Sequence, residues 1–269
     1  MKSELDDLPN LQSGGGNTLI ARRSTESSDC LEEAEHHSLA APVSSLRKCF
    51  DEIRDMIVHG RLAPGSRIVE ADLTSRLGLS RTPVRAALHL LQKEGYVQAT
   101  GAGSRKVRLS VAPLTKDDAR ELYAIVGHLE GLAARSTARL DPPRRQAVVA
   151  RLGELNDELR ALFERGRSEP KRIFDLDMNF HQVIVDASAG PRLLALQRTT
   201  KPQTERYWRL YASAILDRLG LSVGEHLEII RAIEVGDSDA AERAVQRNWE
   251  NGAERLARVI DTLGERGSW

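Results

Sequence analysis

The stretch LGLSRTPVRAALHLLQKEGYV, Leu77 to Val97, decides the fold. Pro83 suits the first turn of a helix, where a missing N–H costs nothing, and Ser80 is placed to supply an N-cap oxygen. At about 100° per residue, Val84, Leu88 and Leu91 form one stripe, which predicts a core face. Thr82, Arg85 and His89 point away from it, and Arg81 flanks it at the N-terminal tip. Positive side chains at a helix N-terminus oppose the helix dipole, so stability alone does not explain two arginines there. An external anion does. A helix that enters the DNA major groove by its N-terminal end uses this pattern, because Arg bonds bidentately to guanine O6 and N7. Taken by itself, the pair is also what a solvated surface carries.

Upstream, SSLRKCFDEIRDMIVHG repeats apolar residues at helical spacing, with Ser44 and Ser45 as candidate N-caps and Gly60 as the stop. RLAPGSRIVEADL predicts a turn on Pro64-Gly65, a very short strand, and a helix over Glu70–Leu77 that ends at Gly78. Only Leu79 and Ser80 separate that helix from the next, so the pair reads as helix, tight turn, helix. Downstream, VQATGAGSRKVRLS predicts two short strands around Gly101-Ala102-Gly103, tipped by Arg105 and Lys106, a wing able to reach phosphates or the minor groove.

Charge follows the same division. The whole chain of 269 residues has a formal net charge of zero. Between Ser44 and Ser110, however, twelve Lys/Arg face six Asp/Glu, a net of +6, whereas the segment upstream carries −5. A basic module on a balanced remainder points to a polyanion contact confined to the first part. Residues 1–43, with Ser13 to Gly16 reading SGGG and few large apolar residues, read as a mostly disordered extension. The two cysteines, Cys30 and Cys49, argue against a disulfide framework, and no apolar run approaches the roughly 20 residues that span a bilayer. A soluble, cytoplasmic protein is expected.

The segment VEADLTSRLGLSRTPVRAALHLLQKEGYV, led in by IRDMIVHGRLAPGSRI, closely resembles the winged helix-turn-helix of GntR-family bacterial transcription regulators. The resemblance implies that Arg81 and Arg85 read bases, with His89 further along the same face, and that Ser80 and Thr82 bond phosphates. It also implies that the wing, through Gly101, Gly103 and Arg105, approaches the minor groove. The DNA-binding domain is expected over residues 44–110.

From Thr115 onward every periodic segment is helical, which predicts a mainly α protein: the winged helix-turn-helix, then an all-α bundle of six or seven helices over residues 111–269. Leu122, Ile125, Val126, Leu129, Leu132 and Ala133 are expected to form the apolar face of its first helix, and Pro202 to kink or interrupt a later one. Asp177 and His181, four apart in DMNFH, lie on one helix face at metal-ligand spacing, with His226 of GEHLEII able to join from another helix. The same spacing also serves exposed helix-stabilising pairs.

LDMNFHQVIVDASAGPRLL, GEHLEIIRAIEVGD and AAERAVQRNWENGAERL resemble the ligand-binding domain of the FadR-type (FCD) branch. Many members hold a divalent metal with one Asp and three His, which implies a site for zinc, nickel or manganese at Asp177, His181 and His226. The fourth position, usually His, is Asn248 here, and an arginine common in the first helix of the domain is replaced by Val126. The resemblance further implies a homodimer joined through the helical domain, a pseudo-palindromic double-stranded DNA operator, and a small effector, a carboxylate foremost. The leading expectation is therefore a ligand-responsive regulator, a repressor rather than an enzyme. Two alternatives remain at this stage: a metal-dependent hydrolase tethered to DNA, and a DNA binder without an effector.

Overall fold

The computed structural model describes residues 44–100, 108–165 and 169–267. The extension 1–43, with Cys30, and the wing tip with Gly101, Gly103 and Arg105 lie outside the described residues. The DNA-binding half runs α1 (Ser45–Val58), β1 (Arg67–Ile68), α2 (Glu70–Leu77), α3 (Arg81–Lys93), β2 (Val97–Thr100) and β3 (Arg108–Val111). The Ser44 hydroxyl accepts the Arg47 backbone N–H at 3.2 Å and starts α1. Gly78 ends α2 in the left-handed region at φ +64°, a conformation a side chain disfavours. The sheet has the order β1-β3-β2 and is antiparallel throughout, with Val97 opposite Val111 and Arg67 opposite Ser110.

The expected stripe on α3 is the core of this half. Val84, Leu88 and Leu91, with Ala87, are buried against Ile53, Ile57 and Cys49 of α1, Leu73 of α2 and Val111 of β3. Burying a Leu or Val side chain contributes about 1.5–3 kcal/mol, so this stripe fixes how α3 sits and which side it leaves outward. Cys49 is a buried free thiol.

The helical half consists of α4 (Lys116–Ala138), α5 (Pro142–Glu164), α6 (Pro170–Ser188), α7 (Pro191–Glu234) and α8 (Ser238–Leu263). Side-chain caps open three of them: Thr115 accepts from Asp118 N, Asp141 from Arg144 N and Asp237 from Ala240 N. These five helices among the described residues replace the expected six or seven, because α7 runs unbroken for 44 residues through Pro202. The proline removes the donor to the Arg198 carbonyl, but tertiary bonds hold the chain just beyond it. Gln203 Nε2 donates to the Glu94 carbonyl at 2.8 Å, an Arg206 guanidinium N–H to the Ala112 carbonyl at 2.6 Å, and the Tyr207 hydroxyl lies 3.1 Å from both N and O of Thr115.

The buried face of α4 is rotated from the expected one. Leu122, Val126 and Ala133 are in the core, but Ile125 and Leu132 are 42% and 46% exposed. Gly127, Glu130 and Gly131 are buried instead, facing α8. A Cβ on Gly127 would stand 2.9 Å from Trp249 Cβ, and one on Gly131 3.2 Å from the Glu242 carbonyl oxygen. Absent side chains let α4 and α8 pack closely, which seals one wall of the site below. No helix among the described residues is long and apolar enough to cross a membrane.

Candidate functional site

Ser80, Arg81, Thr82, Arg85 and His89, at the start of α3 and along it, are all exposed; Thr82, Arg85 and His89 lie away from the core stripe and Arg81 beside it at the N-terminal tip. Ser80 holds the N-cap position, but its side chain makes no capping bond, contrary to the sequence expectation. Pro83 has no N–H to offer, and Ser80 is exposed. Arg85 Nε donates to Glu70 Oε2 at 2.6 Å, an exposed ion pair across the α2–α3 turn. That contact holds the guanidinium by its inner nitrogen, and its two terminal nitrogens have no hydrogen-bond partner among the described residues.

In the helical half, one ligand atom each from Asp177 and His181 on α6 and His226 on α7 lie within 4.8 Å of one another. Sequence spacing placed the first two on one face; the bundle brings in the third. His226 is fully buried and stacks on Phe180 with centroids 3.8 Å apart. Its Nδ1 lies 3.2 Å from Asn156 Oδ1, and Asn156 Nδ2 donates to the Val223 carbonyl. The Asn156 amide nitrogen is thus committed, its oxygen must accept, and His226 carries its proton on Nδ1. The lone pair of Nε2 then faces Asp177 Oδ1 at 3.5 Å, with no hydrogen-bond partner among the described residues.

Two acceptors face each other there. Burial, then the neighbouring His181, holds the His226 pKa well below its ordinary value, which disfavours protonation of that nitrogen. Burial also raises the Asp177 carboxyl above its ordinary pKa against the pull of His181 and Arg255. A carboxylate and a neutral imidazole lone pair in a desolvated site suit a shared cation, so the residues fit a divalent metal.

Behind His181 stands a group that sequence reading missed. His181 Nδ1 lies 2.9 Å from Glu130 Oε2, a carboxylate buried to 1% exposure on α4. Lys201 Nζ is 2.8 Å from Glu130 Oε1, and Trp249 Nε1 donates to Oε2 at 2.8 Å. Burial alone would raise this carboxyl, but the Lys201 ammonium and His181 outweigh it and hold it well below the usual carboxylate range. An ionised Glu130 favours the proton on His181 Nδ1 and leaves Nε2 as the nitrogen available for coordination, the arrangement by which outer carboxylates orient metal-binding imidazoles. A charge at position 130 within the run Val126, Ala133, Ala134 was the available signal.

Asp177, His181 and Asn248 line a cavity of about 50 Å³, closed by Trp208, Trp249 and Arg255 among others. Asn248 Nδ2 donates to Glu225 Oε2 at 2.7 Å. At roughly 10–15 Å³ per water, the space holds a few waters or a compact ligand head. Arg255, 5% exposed, supplies a positive charge on α8, and Val126, read from the sequence as standing in place of an arginine common in the family, is buried in the α4 core.

A helix-turn-helix with its small antiparallel sheet, joined to a helical bundle whose cavity is lined by Asp177, His181, Asn248 and Arg255 among apolar side chains, is the architecture of a DNA-binding transcriptional regulator. Comparison with known proteins gives the family: residues 47–107 match the bacterial regulatory proteins of the gntR family and residues 121–251 match the FCD domain. The chain belongs to the GntR family, with an FCD-type helical domain. An HTH-type transcriptional regulator in the unstable DNA locus of Streptomyces ambofaciens is 34% identical over 205 residues, 74% of this chain and 80% of that protein. The HTH-type transcriptional repressor RspR of Escherichia coli is 26% identical over 208 residues, 77% of this chain and 86% of that one. The crystal structure of a GntR transcriptional regulator from Rhodococcus sp. RHA1 shares the fold at a TM-score of 0.58 and 23% identity, over 80% of this chain and 98% of that chain.

Proposed function

We propose that the chain is a ligand-responsive repressor that binds a pseudo-palindromic operator as a homodimer and senses a small carboxylate in its helical domain. Residues 44–110 form the DNA-reading module and 111–269 the sensing and dimerising one. Arg81 and Arg85 read bases, His89 lies along the same face, Ser80 and Thr82 meet phosphates, and the wing through Gly101, Gly103 and Arg105 reaches the minor groove. Asp177, His181, His226 and Asn248 hold a divalent metal, which when bound supplies a Lewis acid for a carboxylate oxygen. The cavity size favours an effector with a compact anionic head. Ile125 and Leu132, exposed two turns apart on α4, support a dimer face on the helical half.

The observation that carries the ligand response is one segment of α7. Thr204 and Trp208 line the cavity, Lys201 pairs with the Glu130 carboxylate behind His181, and between them Gln203 bonds the carbonyl of Glu94 at the C-terminal end of α3. Arg206 bonds Ala112, just after β3. A change at the cavity that moved this turn of α7 would move the DNA-reading helix with it. That is a two-state coupling through one rigid element, and a two-fold dimer converts it into altered spacing of the recognition helices.

The test is DNA affinity on a duplex enriched from a random pool by the full chain. Arg85→Ala weakens binding to that duplex by about 1–3 kcal/mol while affinity for a scrambled duplex changes little. Equal affinity of the variant and the parent for the enriched duplex would refute base reading by α3. Exposed Arg85 contributes little to the fold, so unfolding is not a competing explanation.

A further inference from the structure

Glu225 is a carboxylate saturated by donors. Its Oε1 accepts Asn251 Nδ2 at 2.9 Å and an Arg255 guanidinium N–H at 2.7 Å, and its Oε2 accepts Asn248 Nδ2 at 2.7 Å and a second Arg255 N–H at 3.1 Å. Arg255 also reaches Ser222 Oγ at 3.2 Å, so the fork that holds Glu225 is itself anchored on α7. A carboxylate only accepts hydrogen bonds. The Asn248 amide must therefore turn its nitrogen to Glu225, which leaves its oxygen as the other branch of the planar group. Asn248 Oδ1 accepts no hydrogen bond from the described residues, and Asn248 lines the cavity together with Asp177 and His181. Glu225 immediately precedes His226, so one turn of α7 carries both a candidate ligand and the group that turns another.

We propose that Glu225 is a positioning residue that presents the Asn248 carbonyl oxygen as the fourth metal-ligating atom, giving a site of two imidazole nitrogens and two oxygens tuned towards Mn²⁺ and away from Zn²⁺. The inference rests on the metal site of the preceding section and adds what position 248 does in it. Imidazole suits zinc and nickel, whereas carboxylate and carbonyl oxygens suit manganese. Exchanging one imidazole for an amide oxygen lowers the affinity for zinc more than for manganese. The ordering is relative: zinc still binds well, but its advantage shrinks.

The experiment uses the full, untagged chain stripped with a chelator and titrated with Mn²⁺ and with Zn²⁺ in competition with a chromogenic chelator. Asn248→Ala weakens Mn²⁺ binding at least tenfold, and Asn248→His raises the Zn²⁺:Mn²⁺ affinity ratio at least tenfold. Glu225→Gln, whose amide can donate as well as accept and so no longer dictates the Asn248 orientation, weakens Mn²⁺ binding in the parent. It has no further effect once Asn248 is alanine. Unchanged Mn²⁺ affinity in Asn248→Ala overturns the carbonyl ligand, and an equal loss from Glu225→Gln in both backgrounds overturns the positioning role. Should Glu225→Gln fail to fold, the two Asn248 variants still decide the ligand. His181→Ala separates the two levels: loss of both ions there with Asn248→Ala silent sinks this inference alone, whereas retention of both ions sinks the metal site itself.

Discussion

The two halves of the molecule carry their chemistry on opposite sides of their cores. In the DNA-binding half the chemical side chains are outside. Val84, Leu88 and Leu91 anchor α3, and Ser80, Arg81, Thr82, Arg85 and His89 are what the anchored helix presents. In the helical half the chemical side chains are inside. Glu130, His181, His226, Asn248 and Arg255 are each nearly inaccessible, and each is held by a partner from another helix. An exposed side chain tolerates substitution without loss of the fold. A buried charged network does not, because removing one member leaves another desolvated without compensation.

The sharpest way to break this contrast is Lys201→Ala. It leaves the Glu130 carboxylate buried without its cation, and a loss of about 3–5 kcal/mol is expected in urea unfolding of the helical half. Lys201→Met with Glu130→Gln removes both charges and recovers most of that loss. Next is Gly127→Ala, whose new Cβ would meet Trp249 Cβ at 2.9 Å; overpacking of this kind costs about 1–3 kcal/mol, read as a lowered unfolding midpoint. On the DNA-binding side, the paired serines sharpen the contrast. Ser44→Ala removes a formed cap and costs about 1 kcal/mol of stability. Ser80→Ala removes no capping bond and leaves the unfolding curve within about 0.5 kcal/mol, while weakening DNA binding.

The same contrast explains what sequence could convey. The recognition helix was legible because its two faces differ in residue type, and periodicity reports faces. The bundle was legible as helices, yet its count was not: Pro202 signals a break, but Gln203, Arg206 and Tyr207 bind distant backbone and hold α7 continuous. The face of α4 was misjudged because two glycines and a glutamate lie inward, where Ile125 and Leu132 were the expected residues. At the site, Asp177 and His181 share a helix and their spacing shows it, whereas Glu130, Asn156, Glu225 and Arg255 reach the site from four other helices. Spacing along one helix carries no information about groups that only the bundle brings together. Arg255, seven residues after Asn248 and hence on the same side of α8, was the nearest thing to a readable sign.

The proposed coupling of the helical cavity to the DNA-binding half runs through α7. The most direct measurement is the affinity of the full chain for its enriched duplex, by fluorescence anisotropy, with the metal site loaded with Mn²⁺ and after chelation. Coupling through α7 gives a severalfold difference between the two states that disappears in His181→Ala and shrinks in Gln203→Ala. Equal affinities in both states, with Mn²⁺ binding verified on the same samples, would contradict it.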